Sequence, residues 1–124
     1  MGELPNVLPG RQYICPVEAT LDVIGGKWKG VILYHLMTGT KRFGELRREI
    51  PSVTQQMLTA QLRELEQAGV VYREVYREVP PKVEYSLTDF GRTIAPIVNL
   101  MYDWGVHYMT GEAQAIQEKC GSKV

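Results

Sequence analysis

Side chains able to read base edges recur at helical spacing between Arg42 and Gly69. At about 100° per residue, Gln55, Gln56, Thr59, Arg63 and Gln67 share one broad arc, and Ser52 and Thr54 precede them. A glutamine amide bonds an adenine edge in a bidentate manner, a guanidinium bonds guanine, and a hydroxyl serves a base or a phosphate. Lys41, Arg42, Arg47 and Arg48 come just before this run, and Arg73, Arg77 and Lys82 follow it. These are the side chains that neutralise phosphates. The pattern predicts a polar helical face suited to a DNA major groove. Scattered charge on a solvated helix would look alike in isolation, so the flanking elements decide.

Those elements agree. Phe43–Ile50 reads as a short bracing helix ended by Pro51. Ser52 with Gln55 three residues on matches a capping box that opens the next helix. Along that helix Leu58, Leu62, Leu65 and Gly69 fall on a narrow arc opposite the polar one, which predicts one buried face and one free face. Two β-type runs follow, Val70–Tyr76 and Lys82–Leu87, around a tip at Glu78–Pro81 stiffened by two prolines. A helix-turn-helix followed by such a hairpin is the winged variant. The predicted fold is therefore mainly α with a small β-hairpin, a winged helix-turn-helix.

The ends of the chain are read in the same way. Residues 1–14, with Pro5, Pro9 and Gly10, suggest a flexible arm, and residues 112–124 a polar tail, leaving 15–111 as one domain. Cys15-Pro16 opens a first helix stopped by Gly25-Gly26, and Lys27–Met37 forms a second, ended by Gly39. Thr88 caps a long last helix, about Asp89–Tyr108, kinked at Pro96. Phe90, Ile94, Ile97, Val98, Met101, Trp104 and Tyr108 make its stripe, and Leu100, Tyr102, Val106 and Met109 spread around it. So much apolar surface exceeds what a small core covers, and a homodimer is the expected outlet.

Composition narrows the classes. Apolar residues make up 44% and charged residues 23%, ordinary globular usage. No apolar run approaches the roughly 18 residues of a membrane span. No signal peptide is read at the N-terminus, so the expected location is cytoplasmic. Formal net charge is zero, from 14 basic and 14 acidic side chains, which argues against a non-specific polycation. Gly25-Gly26-Lys27-Trp28 lacks the spacing of a phosphate-binding loop, and Trp28 reads as a core anchor. His35 and His107 stand without a ligand cluster, so neither a metal nor another cofactor is expected. No nucleophile arrangement appears, so the chain does not read as an enzyme. The competing function is a winged module that binds protein, which would show apolar anchors along the Gln55–Arg63 face.

From Cys15 to about Trp104 the chain resembles the HxlR-type winged helix-turn-helix transcriptional regulators. The matching segments are CPVEATLDVIGGKWK (Cys15–Lys29), RFGEL (Arg42–Leu46), QQMLTAQLRELEQAG (Gln55–Gly69), VPPKVEYSLTDFG (Val79–Gly91) and the Pro96 to Trp104 spacing. The order of the five is far more specific than any one. The resemblance implies small homodimers, joined through the first and last helices, that bind operator DNA near promoters; two reading helices meeting successive major grooves then predict a pseudo-palindromic operator. It also implies that Cys15 sits where some relatives sense oxidants or electrophiles, and the start of a helix favours a thiolate. One departure is the Ser52–Thr54 turn, where many relatives carry a glycine. Cys120, in the tail, has no clear counterpart.

Overall fold

The computed structural model describes residues 12–111. Residues 1–11 of the expected arm, the 112–124 tail and Cys120 lie outside that range. The elements run α1 (Pro16–Ile24), α2 (Lys29–Leu36), β1 (Lys41–Arg42), α3 (Phe43–Glu49), α4 (Gln55–Gln67), β2 (Val71–Tyr76), β3 (Lys82–Leu87), α5 (Asp89–Arg92) and α6 (Ala95–Met109). The sheet is antiparallel, in the order β1-β3-β2. The winged helix-turn-helix expected from the sequence is what the chain forms.

Its core is built from the apolar arc of α4. Leu58, Leu62 and Leu65 are fully buried among Ile32, Leu33 and Leu36 of α2, Leu46 of α3, Val71 of β2 and Val98 of α6. Trp28 packs against this cluster at its edge, as an anchor should. In the hairpin, Val71 pairs with Leu87, Arg73 with Tyr85 and Val75 with Val83, so these side chains share one face of the ribbon.

Three boundaries depart from the sequence expectation by more than one residue, and one strand was not expected. The cap of α4 is Thr54, not Ser52: the Thr54 hydroxyl accepts the Met57 N–H at 3.1 Å. Val53 is buried beside Leu58, a hydrophobic staple whose burial moves the helix start beyond Ser52, which is left exposed in the turn. The second helix begins at Lys29, because Gly26–Trp28 form a turn first. The last helix is broken rather than kinked. Pro96 lacks an N–H and its ring would meet the carbonyl four residues back, so α5 stops at Arg92 and α6 restarts with Pro96 in its first turn. β1 was too short to carry any periodicity, yet Lys41 and Arg42 pair with Tyr85 and Glu84 and complete the sheet.

Two polar nodes tie the layers together. At the foot of the wing, α4 ends with Gly69 at φ +80°, and the Val70 N–H closes onto the Leu65 carbonyl at 3.1 Å. The Thr88 hydroxyl donates to the Gly69 carbonyl at 2.6 Å and accepts from the Gly91 N–H at 2.8 Å. At the other end, Glu49 accepts from Lys41 Nζ at 2.9 Å and lies 3.0 Å from His35 Nδ1, joining α3 to β1 and α2. The hydrogen bond from Lys41 holds the Glu49 carboxyl below its usual value against the opposing effect of burial, with the charges of Lys41 and His35 adding to the lowering.

Gly91 lies so close to the Val70 backbone that a Cβ would collide with the Val70 carbonyl. Gly91→Ala should therefore destabilise the domain by about 1–3 kcal/mol, read as a lower urea midpoint with the denaturant slope unchanged. A lowered carboxyl value means that Glu49 stabilises the fold above the ordinary glutamate range and loses that contribution as the pH falls through its own lower value. Urea midpoints of parent and Glu49→Gln should thus differ at neutral pH and converge on acidification. A difference that persists at acid pH would show that the carboxylate charge is not what matters.

Candidate nucleic-acid interface

Burial of one face of α4 turns the other outward, and the N-terminal turn of the helix carries the densest polar group. Gln55, Gln56, Arg63 and Gln67 are exposed, as are Ser52 and Thr54 before them. Two of the hydroxyls are already engaged: Thr54 caps the helix, and Thr59 Oγ1 donates to the Gln55 carbonyl at 2.9 Å. Arg63 lies within electrostatic reach of Tyr85, at the junction with the wing. Burial pushes the Tyr85 phenol up from its usual value, while Arg73, Glu66 and Arg63 set the field around it. Met57 was not singled out from the sequence. It is 46% exposed in the first turn of α4, next to Gln56, where a thioether could meet a thymine methyl. Its place in the first turn, beyond the edge of the leucine arc, was the signal.

The basic residues divide into two groups. Arg42, Arg47, Arg48, Arg63 and Arg77 are exposed and hold no ion pair among the described residues. Arg47 and Arg48 line a shallow groove between α3 and the start of α4, together with Phe43, Gly44, Pro51 and Gln55. The others are occupied. Lys41 is held by Glu49, and Arg73 Nε lies 3.7 Å from Glu66 Oε1. Lys82 sits 4.5 Å over the Tyr76 ring and 3.6 Å from Glu84. The structure thus brings Arg47, Arg48 and Gln55 together at the start of α4, with Gln56 next in the helix, and leaves Arg77 apart at the wing tip.

The opposite face of the wing has another character. Glu74 and Glu84 stand directly across from each other, an unfavourable like-charge pairing. Tyrosines relieve it. The Tyr72 hydroxyl donates to Glu74 at 2.7 Å, and Tyr76 bonds Glu84; each bond raises the phenol above its usual value. Lys82 stands on this same face, opposite Tyr76 and beside Glu84, so acids and a base alternate there.

Away from the wing, Cys15 is exposed in extended backbone at the start of α1. Ile14, Val17 and Leu21 beside it are exposed too, and α6 shows Ile97, Leu100, Met101, Trp104 and Tyr108 to solvent. His35 bonds Glu49, and no group of side chains suited to a metal ion occurs among the described residues.

Comparison with known proteins bears on this geometry. The family description "HxlR-like helix-turn-helix" matches residues 23–113. The HTH-type transcriptional regulator YybR of Bacillus subtilis is 64% identical over 105 residues, covering 85% of this chain and 83% of that protein. The solved redox regulator HypR in its reduced form superposes with a TM-score of 0.75 at 63% identity, over 80% of this chain and 99% of that one. The reduced form of the regulator YodB from B. subtilis gives a TM-score of 0.66 at 38% identity, over 77% and 95% of the two chains. By its matched length, its identity to these relatives and its shared fold, the chain belongs to the HxlR-like helix-turn-helix family of transcriptional regulators.

Proposed function

We propose that this protein regulates transcription as a homodimer on pseudo-palindromic operator DNA, and that chemical modification of Cys15 alters its grip. The observation that carries the reading is the exposed polar face of α4, with Gln55 in one groove with Arg47 and Arg48, whose guanidinium groups hold no ion pair among the described residues, and Gln56 next to it in the helix. In the groove this face supplies base contacts through Gln55, Gln56, Thr59 and Arg63, while Ser52 and Thr54 serve the adjacent backbone. Arg42, Arg47, Arg48 and Arg77 supply phosphate contacts. Lys41, Arg73 and Lys82 join them only by exchanging partners they already hold. A protein-binding face would need apolar anchors along this arc, and Met57 is the one large apolar side chain there.

Dimerisation rests on the exposed apolar side chains of α6 and of α1. Leu100 is 67% exposed and Trp104 64%, on a helix with far more apolar surface than Val98 alone buries. A regulator acting on operator DNA works in the cytoplasm, and no helix among the described residues is long and apolar enough to cross a membrane. Thiol control is drawn from HypR, which is described as a redox regulator and solved in oxidised and reduced forms. Exposed Cys15 is the one cysteine among the described residues, at the edge of the surface proposed to join the subunits. We propose no catalytic role and no cofactor.

The full chain should sediment as a dimer at micromolar concentration, and Trp104→Glu should yield monomers with much weaker operator binding. A parent that sediments as a monomer would remove the dimer from this account. Operator affinity should fall steeply with salt, with a log–log slope of about −0.9 per phosphate neutralised. Gln56→Ala and Arg63→Ala should each lose about 1–3 kcal/mol of discrimination between operator and random duplex, while Arg77→Ala should weaken both about equally. Equal effects from all three variants would mean that α4 does not read bases. Alkylating Cys15 should shift operator affinity in the parent and leave Cys15→Ser unmoved; the same shift in both would place the sensitive group elsewhere.

A further inference from the structure

Lys29 opens α2, and its ammonium holds two other helices at once. Nζ donates to the Asp22 carbonyl at 3.0 Å and lies 2.6 Å from Glu64 Oε1. The Lys29 side chain is only 12% exposed, while that of Glu64 is 51% exposed. Asp22 belongs to the last turn of α1, where carbonyls lack an intrahelical N–H and the helix dipole is negative. Glu64 belongs to α4, on the flank of its leucine arc away from Glu66. The Glu66 flank is tied in turn to Arg73 of β2 at 3.7 Å.

The apolar arc fixes how deeply α4 sits, but a row of leucines resists rolling about the helix axis only weakly. Ionic ties on opposite flanks resist it directly. The tie on the inner flank leads through one cation to α1, the helix proposed above to join subunits.

We propose that Lys29 is a positioning residue for DNA reading: it sets the roll of α4 relative to α1, and thereby the register between the two reading faces of the dimer. This rests on the dimeric operator-binding reading given above. Lys29 does not touch DNA in this account. Its ammonium converts the placement of α1 at the subunit junction into the angle at which Gln56 and Arg63 meet the groove.

The test uses the full chain and a duplex operator selected from random-sequence DNA on the parent protein, with versions carrying one base pair more or less between the half-sites. One added base pair rotates a half-site by a tenth of a turn or so. The parent should prefer the native spacing by about tenfold or more. Lys29→Met, which keeps the aliphatic stem, and Glu64→Gln should each bring that preference close to unity. Lys29→Arg should retain it, and the Lys29→Met/Glu64→Gln double variant should match either single one. Thermal unfolding of each variant separates mispositioning from loss of fold. Should Lys29→Met fail to fold, Glu64→Gln at its half-exposed position decides. An undiminished preference in a folded Lys29→Met or Glu64→Gln, or a double variant that loses the product of the two single losses, overturns the coupling alone. A parent indifferent to spacing overturns the dimeric operator reading and the coupling with it.

Discussion

Burial of Leu58, Leu62 and Leu65 against α2 and β2 is the constraint from which the rest of the molecule follows. A helix with three fully buried leucines on one arc must keep the opposite side toward solvent, and only small rolls about its axis remain open to it. Each is a large side chain whose exposure would cost about 1.5–3 kcal/mol, a sizeable part of the stability of a small domain. The polar arc is thus held outward by what lies behind it, and none of its own side chains must contribute to folding. Val53 extends the same logic into the turn: its burial beside Leu58 determines that Thr54, not Ser52, starts the helix.

Charge is allocated rather than accumulated. With a net charge of zero, attraction to a polyanion has to come from where the cations stand. Four lysine and arginine side chains around the helix-turn-helix and wing are held by glutamates: Lys29 by Glu64, Lys41 by Glu49, Arg73 by Glu66 and Lys82 by Glu84. Among the described residues, Arg42, Arg47 and Arg48 beside the start of α4, Arg63 along it and Arg77 at the wing tip hold no ion pair. On the Glu74 face of the wing the two acids stand opposite each other with Lys82 beside them, so neither sign of charge prevails there.

Much of this could be read from the chain because the information was periodic or local. The leucine spacing in α4, the alternation in both wing strands and the Thr88 cap each specify structure within a few residues, and all three appear as expected. What escaped was long-range or too short to show a period. β1 is two residues whose pairing partners lie more than forty positions away. The tie between His35 and Glu49, and that between Lys29 and Glu64, join residues whose proximity only the packed helices create. The break before Pro96 was located by its cause but underestimated in its extent. Within the interface, residue type identified which groups could contact DNA, whereas only the fold distinguished exposed arginines from lysines already engaged.

The wing is closed at its base and open at its tip. Thr88 grips Gly69 and Gly91 together, so the two strands leave and return through a single clasp nineteen residues apart in sequence. The paired strands beyond that clasp still lend Val71, Tyr85 and Leu87 to the core, and only the tip between them is a loop free of it. Residues 77–81 can therefore be exchanged or extended without disturbing the reading helix, while the clasp itself tolerates almost nothing, since even a methyl group at Gly91 has no room. This makes the tip of the hairpin a natural point of divergence: its length and charge can change while the helix-turn-helix behind it is inherited intact.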